Sequence, residues 1–154
     1  MLTWRHAAVA LLVGAGTVTA AAGASSPASA AAVSATAQVV SLTNQARAKA
    51  GCRPVKVDKR LAAAAQKHSR DMVERRYFEH DSPDGHSFAD RESAEGYPDP
   101  GGENIAYGQK TAREVVTDWM HSASHRRNIL DCSFTRIGVG LDSRGMYWTQ
   151  DFGR

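Results

Sequence analysis

The chain has 154 residues, with 19 Lys and Arg against 16 Asp and Glu and a pI near 9.1. That length holds one compact domain and leaves nothing for a second. The near balance of charge, and basic doublets Arg75-Arg76 and Arg126-Arg127 that have no aromatic residues between them, exclude nucleic acid as a partner.

Arg5 is the only charged residue among the first thirty, and the apolar run behind it, Ala7 to Val18, is too short to span a bilayer. This is the pattern of a secretory leader. Small residues in Pro27-Ala28-Ser29-Ala30 place cleavage after Ala30, with Ala24 as the second choice. Residues 1–30 are therefore expected to be a signal peptide and 31–37 a short linker, with a single domain over 38–154. The mature chain is expected to be secreted, with no stable membrane insertion and a net charge of only +2. Both cysteines, Cys52 and Cys132, lie in the exported part, where an oxidising compartment lets thiols pair. We expect one intramolecular disulfide, closing a loop of about 80 residues and worth at most roughly 4.5 kcal/mol by chain entropy.

Val39, Leu42 and Ala46 recur at helical spacing up to Gly51, which gives a first helix. Asp58 is the expected N-cap of a second, with Leu61, Ala64, Ala65, His68 and Met72 on its apolar stripe and an alanine run, 62 to 65, that permits close packing. His68 on that stripe reads as a buried, hydrogen-bonded histidine rather than a ligand. Ser82-Pro83-Asp84-Gly85 is a turn, a short polar helix follows over 87–94, and 96–102 reads as an irregular loop. Asn104 to Tyr107 reads as a strand ended by Gly108. Thr111 and Glu114 have capping-box spacing at the start of a further helix with core face Val115, Val116, Trp119 and Met120. On another face Asp118, Ser122 and His125 would stand one above another if that helix continued. Residues 136–141 and 146–152 alternate around Asp142-Ser143-Arg144-Gly145 and should pair as a hairpin.

Four ordered motifs carry a family resemblance. They are Phe78-x-His80-x-Ser82-Pro83-x-Gly85, Gly102-Glu103-Asn104-Ile105-Ala106, Trp119-x-x-Ser122-x-x-His125-Arg126-x-Asn128-Ile129-Leu130, and Ile137-Gly138-Val139-Gly140 followed by Tyr147-Trp148-Thr149-Gln150-x-Phe152. Over 38–154 the chain resembles the CAP superfamily (cysteine-rich secretory proteins, antigen five and pathogenesis-related proteins), in its small bacterial SCP-domain form. The resemblance implies an α+β fold, a three-layer α-β-α sandwich with a central antiparallel sheet, and a cleft with two histidines and two acidic residues. His80, Glu103 and His125 match the first histidine, the first glutamate and the second histidine. Ser122 stands where better-known eukaryotic members carry the second glutamate, which argues against a four-ligand cage.

Two imidazoles and one carboxylate, from His80, His125 and Glu103, form a set that could hold Zn²⁺ or another divalent metal with an open position for water. Hydrolysis would also need a general base, and the helix reads His121-Ser-Ala-Ser-His125 where a zinc protease carries HExxH. Asp118 reads as a solvated helix residue. Ser82, Ser122 and Ser124 lie near histidines in sequence, but no GxSxG elbow is present. The same three site residues could instead form a structural network, Glu103 holding both histidines by charge-assisted hydrogen bonds. Asn104 and Asn128 read as loop and helix-end caps, and Trp119 and Trp148 as core. The sequence thus points to a monomeric extracellular binding module rather than an enzyme, its ligand a sterol, a fatty acid, another apolar molecule or a cell-envelope partner. The alternative is a metal-dependent hydrolase of cell-envelope or extracellular polymers.

Overall fold

The structure, a computed structural model, describes residues 27–154, with side chains from Ala35 onward. The leader expected over 1–30 lies outside the described residues up to residue 26. The first helix, α1, runs Pro27–Lys49, so the stretch expected to be a linker is helical backbone. Its alanines favour helix more than any other residue does. Gly51, at φ +78°, turns the chain out of it.

Asp58 caps α2 (Lys59–Arg75) by accepting from the Arg60 N–H, and the expected stripe is buried, His68 included. Ser87 caps α3 (Phe88–Ala94) in a capping box with Asp90, and Thr111 caps α4 (Ala112–His121) in another with Glu114. Helix four does not continue. Ser122 adopts an extended backbone, φ −92° and ψ 124°, and a separate helix, α5 (Ala123–Leu130), starts after it. Asp118, Ser122 and His125 therefore do not share the face of one helix, a correction to the spacing argument.

Four strands form one sheet in the order β1 (Lys56–Val57), β3 (Arg136–Asp142), β4 (Tyr147–Gly153), β2 (Pro100–Tyr107). The hairpin β3–β4 forms as expected, with Ile137 opposite Phe152 and Leu141 opposite Trp148. β2 runs antiparallel to β4, and the two-residue β1, not anticipated, adds parallel to β3. β2 begins at Pro100, so the Gly101-Gly102 pair belongs to the strand rather than to the loop expected there.

α2 covers one face of the sheet, and α1, α4 and α5 pack against one another on the other. α2 lies unusually close to β3, because side chains on Gly138 and Gly140 would run into its backbone at Leu61–Ala62 and Ala65–Gln66. The alanine run and these glycines are complementary halves of one contact. The core on the far side gathers Val39, Val115, Trp119, Ile129, Ile137, Trp148 and Phe152, all essentially buried.

Arg47 of α1 is wholly buried. Its guanidinium donates to the carbonyls of Arg53, Ile129, Asp131 and Phe134, tying α1 to the end of α5 and the approach to β3. Cys52 and Cys132 are disulfide-bonded across the same region, with Cα atoms 4.9 Å apart, as the sequence predicts.

Candidate functional site

The site forms along β2, the edge strand at one end of the sheet. Successive residues of a strand point to opposite faces, so Glu103 turns toward the α2–α3 side and Asn104 toward the α5 side. The two histidines flank this edge, His80 from the loop after α2 and His125 from α5.

Glu103 is almost fully buried, and both carboxylate oxygens are taken: His80 Nδ1 donates to Oε1 at 2.8 Å and Arg91 Nη2 to Oε2 at 2.7 Å. A carboxylate only accepts, so the His80 proton sits on Nδ1 and Nε2 is left as the lone-pair nitrogen. That ring is half exposed. The bond from Glu103 raises the proton affinity of His80, burial opposing it. Burial, and then the charge on His80, lower that of His125. Protonating one imidazole thus disfavours protonating the other.

Beneath this pair is a buried layer made of His68, buried and hydrogen-bonded as the sequence predicts, and of Asp151 and Glu92, which the sequence reading did not single out. His68 is buried, bonds the Glu79 carbonyl through Nε2 at 3.1 Å and lies 3.9 Å from Glu103 Oε2. Asp151 is paired with Glu103 in the β2–β4 register and is also buried. Burial first, then Glu103 and Glu92, raise its proton affinity well above the ordinary carboxylate range. Glu92 on α3 is wholly buried with neither carboxylate oxygen hydrogen-bonded, and burial, then Glu103, push its pKa up to about 8. A single guanidinium, that of Arg91, balances this group of carboxyls, so some of them must hold protons.

On the α5 side the amides form a relay. Asn128 Nδ2 donates to the Glu103 carbonyl and to Asn104 Oδ1, Asn104 Nδ2 to the His125 carbonyl and Gln150 Oε1, and Gln150 Nε2 to Thr43 Oγ1. Asn104 and Asn128 are thus not the loop and helix-end caps expected of them; they lock α5, and with it His125, onto the strand. Trp119 Nε1 donates to the Ile105 carbonyl, adding a polar contact to its expected core role.

Beyond His125 a groove of about 280 Å³ runs over Ile105, Ala106 and Trp119, with Ser122, Asp118 and Gln109 on its rim. Asp118 Oδ2 accepts from Gln109 Nε2 at 2.9 Å. Ser122 and Asp118 thus meet His125 around this groove, even though the helix breaks between them. At its mouth the rings of Phe78, Tyr107 and Tyr147 cluster, Phe78 edge-on to Tyr107 with centroids 4.8 Å apart and the two tyrosines stacked at 5.6 Å.

A divalent ion does not fit the full expected set of His80, Glu103 and His125 as they stand, because His80 turns its protonated Nδ1 to Glu103 and its free nitrogen, Nε2, lies on the other side of the ring. Among the described residues no cluster of three or more His, Cys, Asp or Glu is arranged to hold a metal. What fits is an outer role for Glu103, orienting His80 so that Nε2 faces outward.

Helices on both faces of a largely antiparallel sheet, with two histidines flanking a buried glutamate on the edge strand, define an SCP-type sandwich domain. The chain belongs to the cysteine-rich secretory protein (CAP) family, whose sequence profile matches residues 40–152. YkwD of Bacillus subtilis is 47% identical over 115 residues, which are 74% of this chain and 45% of YkwD. YlbC, a membrane protein of the same organism, is 39% identical over 116 residues, 74% of this chain and 33% of YlbC. The chain thus spans less than half the length of either relative. The crystal structure of an extracellular protein containing an SCP domain from Bacillus anthracis superposes with a TM-score of 0.79 at 31% identity, over 86% of this chain and 45% of that one.

Proposed function

We propose that this is a secreted binding module, released by removal of residues 1–30, whose cleft presents His80 and His125 as a paired imidazole edge for an extracellular ligand. The observation that carries this reading is the commitment of Glu103 to His80 and Arg91. Glu103 can act as general base or inner metal ligand only in competition with the charge-assisted hydrogen bond that each of its carboxylate oxygens already accepts, each bond worth about 1.5–3 kcal/mol. Its role is to hold His80 in one tautomer and one orientation. A divalent ion would then take two imidazole nitrogens, its other positions filled by water or by the ligand itself.

A second groove, of about 480 Å³ between α1, α4 and α5, suits an apolar ligand such as a fatty acid. Its floor is Leu42, Ala46, Val116, Met120 and Leu130, and Lys49, Arg113 and Arg126 stand at its rim to receive an anionic head. The hydrolase reading draws on one observation, the approach of Asp118 to His125 across the smaller groove, where a base would have to stand.

Zinc titrated calorimetrically into chelator-stripped mature protein tests the imidazole edge. Micromolar or tighter binding, lost in a folded His80→Ala, His125→Ala double variant, is the expected result. No binding to the wild type would leave the three residues as a structural network. Mass spectrometry of organic extracts from purified protein tests the apolar groove, with loss of copurifying lipid expected in Met120→Lys. Chelator-sensitive release of product from a cell-envelope polymer would favour the hydrolase.

A further inference from the structure

Whereas Tyr97, Trp119, Phe134, Trp148 and Phe152 are buried, Phe78 and Tyr107 are 37% and 56% exposed. They are not scattered. With Tyr147 they make one contiguous aromatic surface, assembled from the loop after α2 and from paired positions of β2 and β4. Neither tyrosine hydroxyl has a hydrogen-bond partner among the described residues. Rings held together at the surface by one another, with free hydroxyls, are costly to hydrate and pre-organised for contact.

The groove that opens from this surface says what kind of contact. Its floor is apolar, but its rim carries a carboxylate, an amide, a hydroxyl and an imidazole, from Asp118, Gln109, Ser122 and His125. An acyl chain laid there would strip water from those groups and return no hydrogen bonds. A pyranose has an apolar face of C–H bonds that seats on an aromatic ring, and a girdle of hydroxyls that both donate and accept. The rim charge narrows the choice further. Asp118 on the rim disfavours an acidic sugar.

We infer that the Phe78–Tyr107–Tyr147 surface and the adjoining groove form a subsite for a neutral glycan chain. One pyranose would stack on Tyr107, with the next reaching the Asp118–Ser122–His125 rim. This rests on the reading of the cleft as a binding site and names the class of ligand it takes.

The test uses the mature protein with two soluble probes, chitohexaose and cellohexaose, by calorimetry and by NMR of the aromatic ring protons. Binding of at least one probe is expected, with shifts confined to the Phe78, Tyr107 and Tyr147 rings and to the Ser122 and His125 region. Tyr107→Ala should weaken it at least tenfold and Tyr107→Phe by less than threefold. Val57→Ala, an exposed apolar residue on the opposite sheet edge, should leave it unchanged. Binding of chitohexaose alone would support the inference and add an acetamido group to the recognised unit. No binding of either probe at millimolar concentration would overturn it, as would binding that Tyr107→Ala leaves intact. Zinc affinity measured on the same wild-type protein separates the two readings: zinc binding with no glycan binding refutes the glycan alone, and binding of neither refutes the cleft as a binding site.

Discussion

Replacing Glu92 should make the protein more stable, by an amount that depends on pH. Glu92 is wholly buried, neither carboxylate oxygen has a partner, and its pKa is pushed up to about 8. An unfolded glutamate titrates near pH 4.3. Because the native value is raised, the folded state holds a proton that the unfolded state releases, and stability falls as pH rises between the two values. The slope is about 1.4 kcal/mol per pH unit for one proton, which accumulates to about 4 kcal/mol by pH 7 as an upper figure. Glu92→Leu removes the proton and the unpartnered oxygens together; Glu92→Gln removes only the titration and leaves an amide without partners. Urea unfolding of the three proteins from pH 4.5 to 8.5 is the assay. The Leu variant should gain little at pH 4.5 and about 2–4 kcal/mol near pH 8, with the Gln variant between it and the wild type. A gain that does not change with pH, or a loss at pH 7, would show that Glu92 is ionised and paired in the folded protein.

His80 has the opposite sign. Its native proton affinity is raised by Glu103, so the pair's contribution is complete below about pH 6.5 and is lost as pH rises through the higher native value. For this half-exposed ring the gain is about 1 kcal/mol, so His80→Gln should cost that at pH 6 and much less at pH 9, while an NMR titration of His80 at or below 6.5 would refute the assignment. Gly140→Ala should cost about 3 kcal/mol, because the new methyl meets the α2 backbone at Ala65–Gln66; an unchanged melting temperature would mean that α2 can move away freely. The paired Cys52→Ser, Cys132→Ser variant should lose up to roughly 4.5 kcal/mol, and thiol titration of the denatured, unreduced wild type should find no free thiol.

The elements that announce themselves in the sequence are those whose signals are local. The Asp58 and Thr111 caps, the stripe of α2 and the β3–β4 hairpin each depend on residues within a turn or two of one another. The break at Ser122 does not, since nothing in His121-Ser-Ala-Ser-His125 forbids helix, and the break becomes visible only once α5 docks on β2 through Asn128. β1 is two residues long and exists because β3 offers it an edge. Within the site, His80, Glu103 and His125 come from motifs, whereas Arg91 and Glu92 lie in a segment with no such signal and Asp151 holds the unspecified position of the last motif. Glu92 sits in a charged helix that reads as solvated, yet the helix buries it. Asp151 lies on a strand buried on both faces, where the alternation that separates inside from outside is lost.

The side chains that fasten α4 and α5 to β2 also govern how the molecule can associate. An edge strand ordinarily offers a row of free carbonyls on which another chain can build. Here the carbonyls of Glu103 and Ile105 are occupied by Asn128 and Trp119. A neighbouring copy that extended the sheet along β2 would have to displace both of these side-chain donors. The same two contacts stand in the way of recognition by strand addition and leave side chains as the surface a partner meets along this edge.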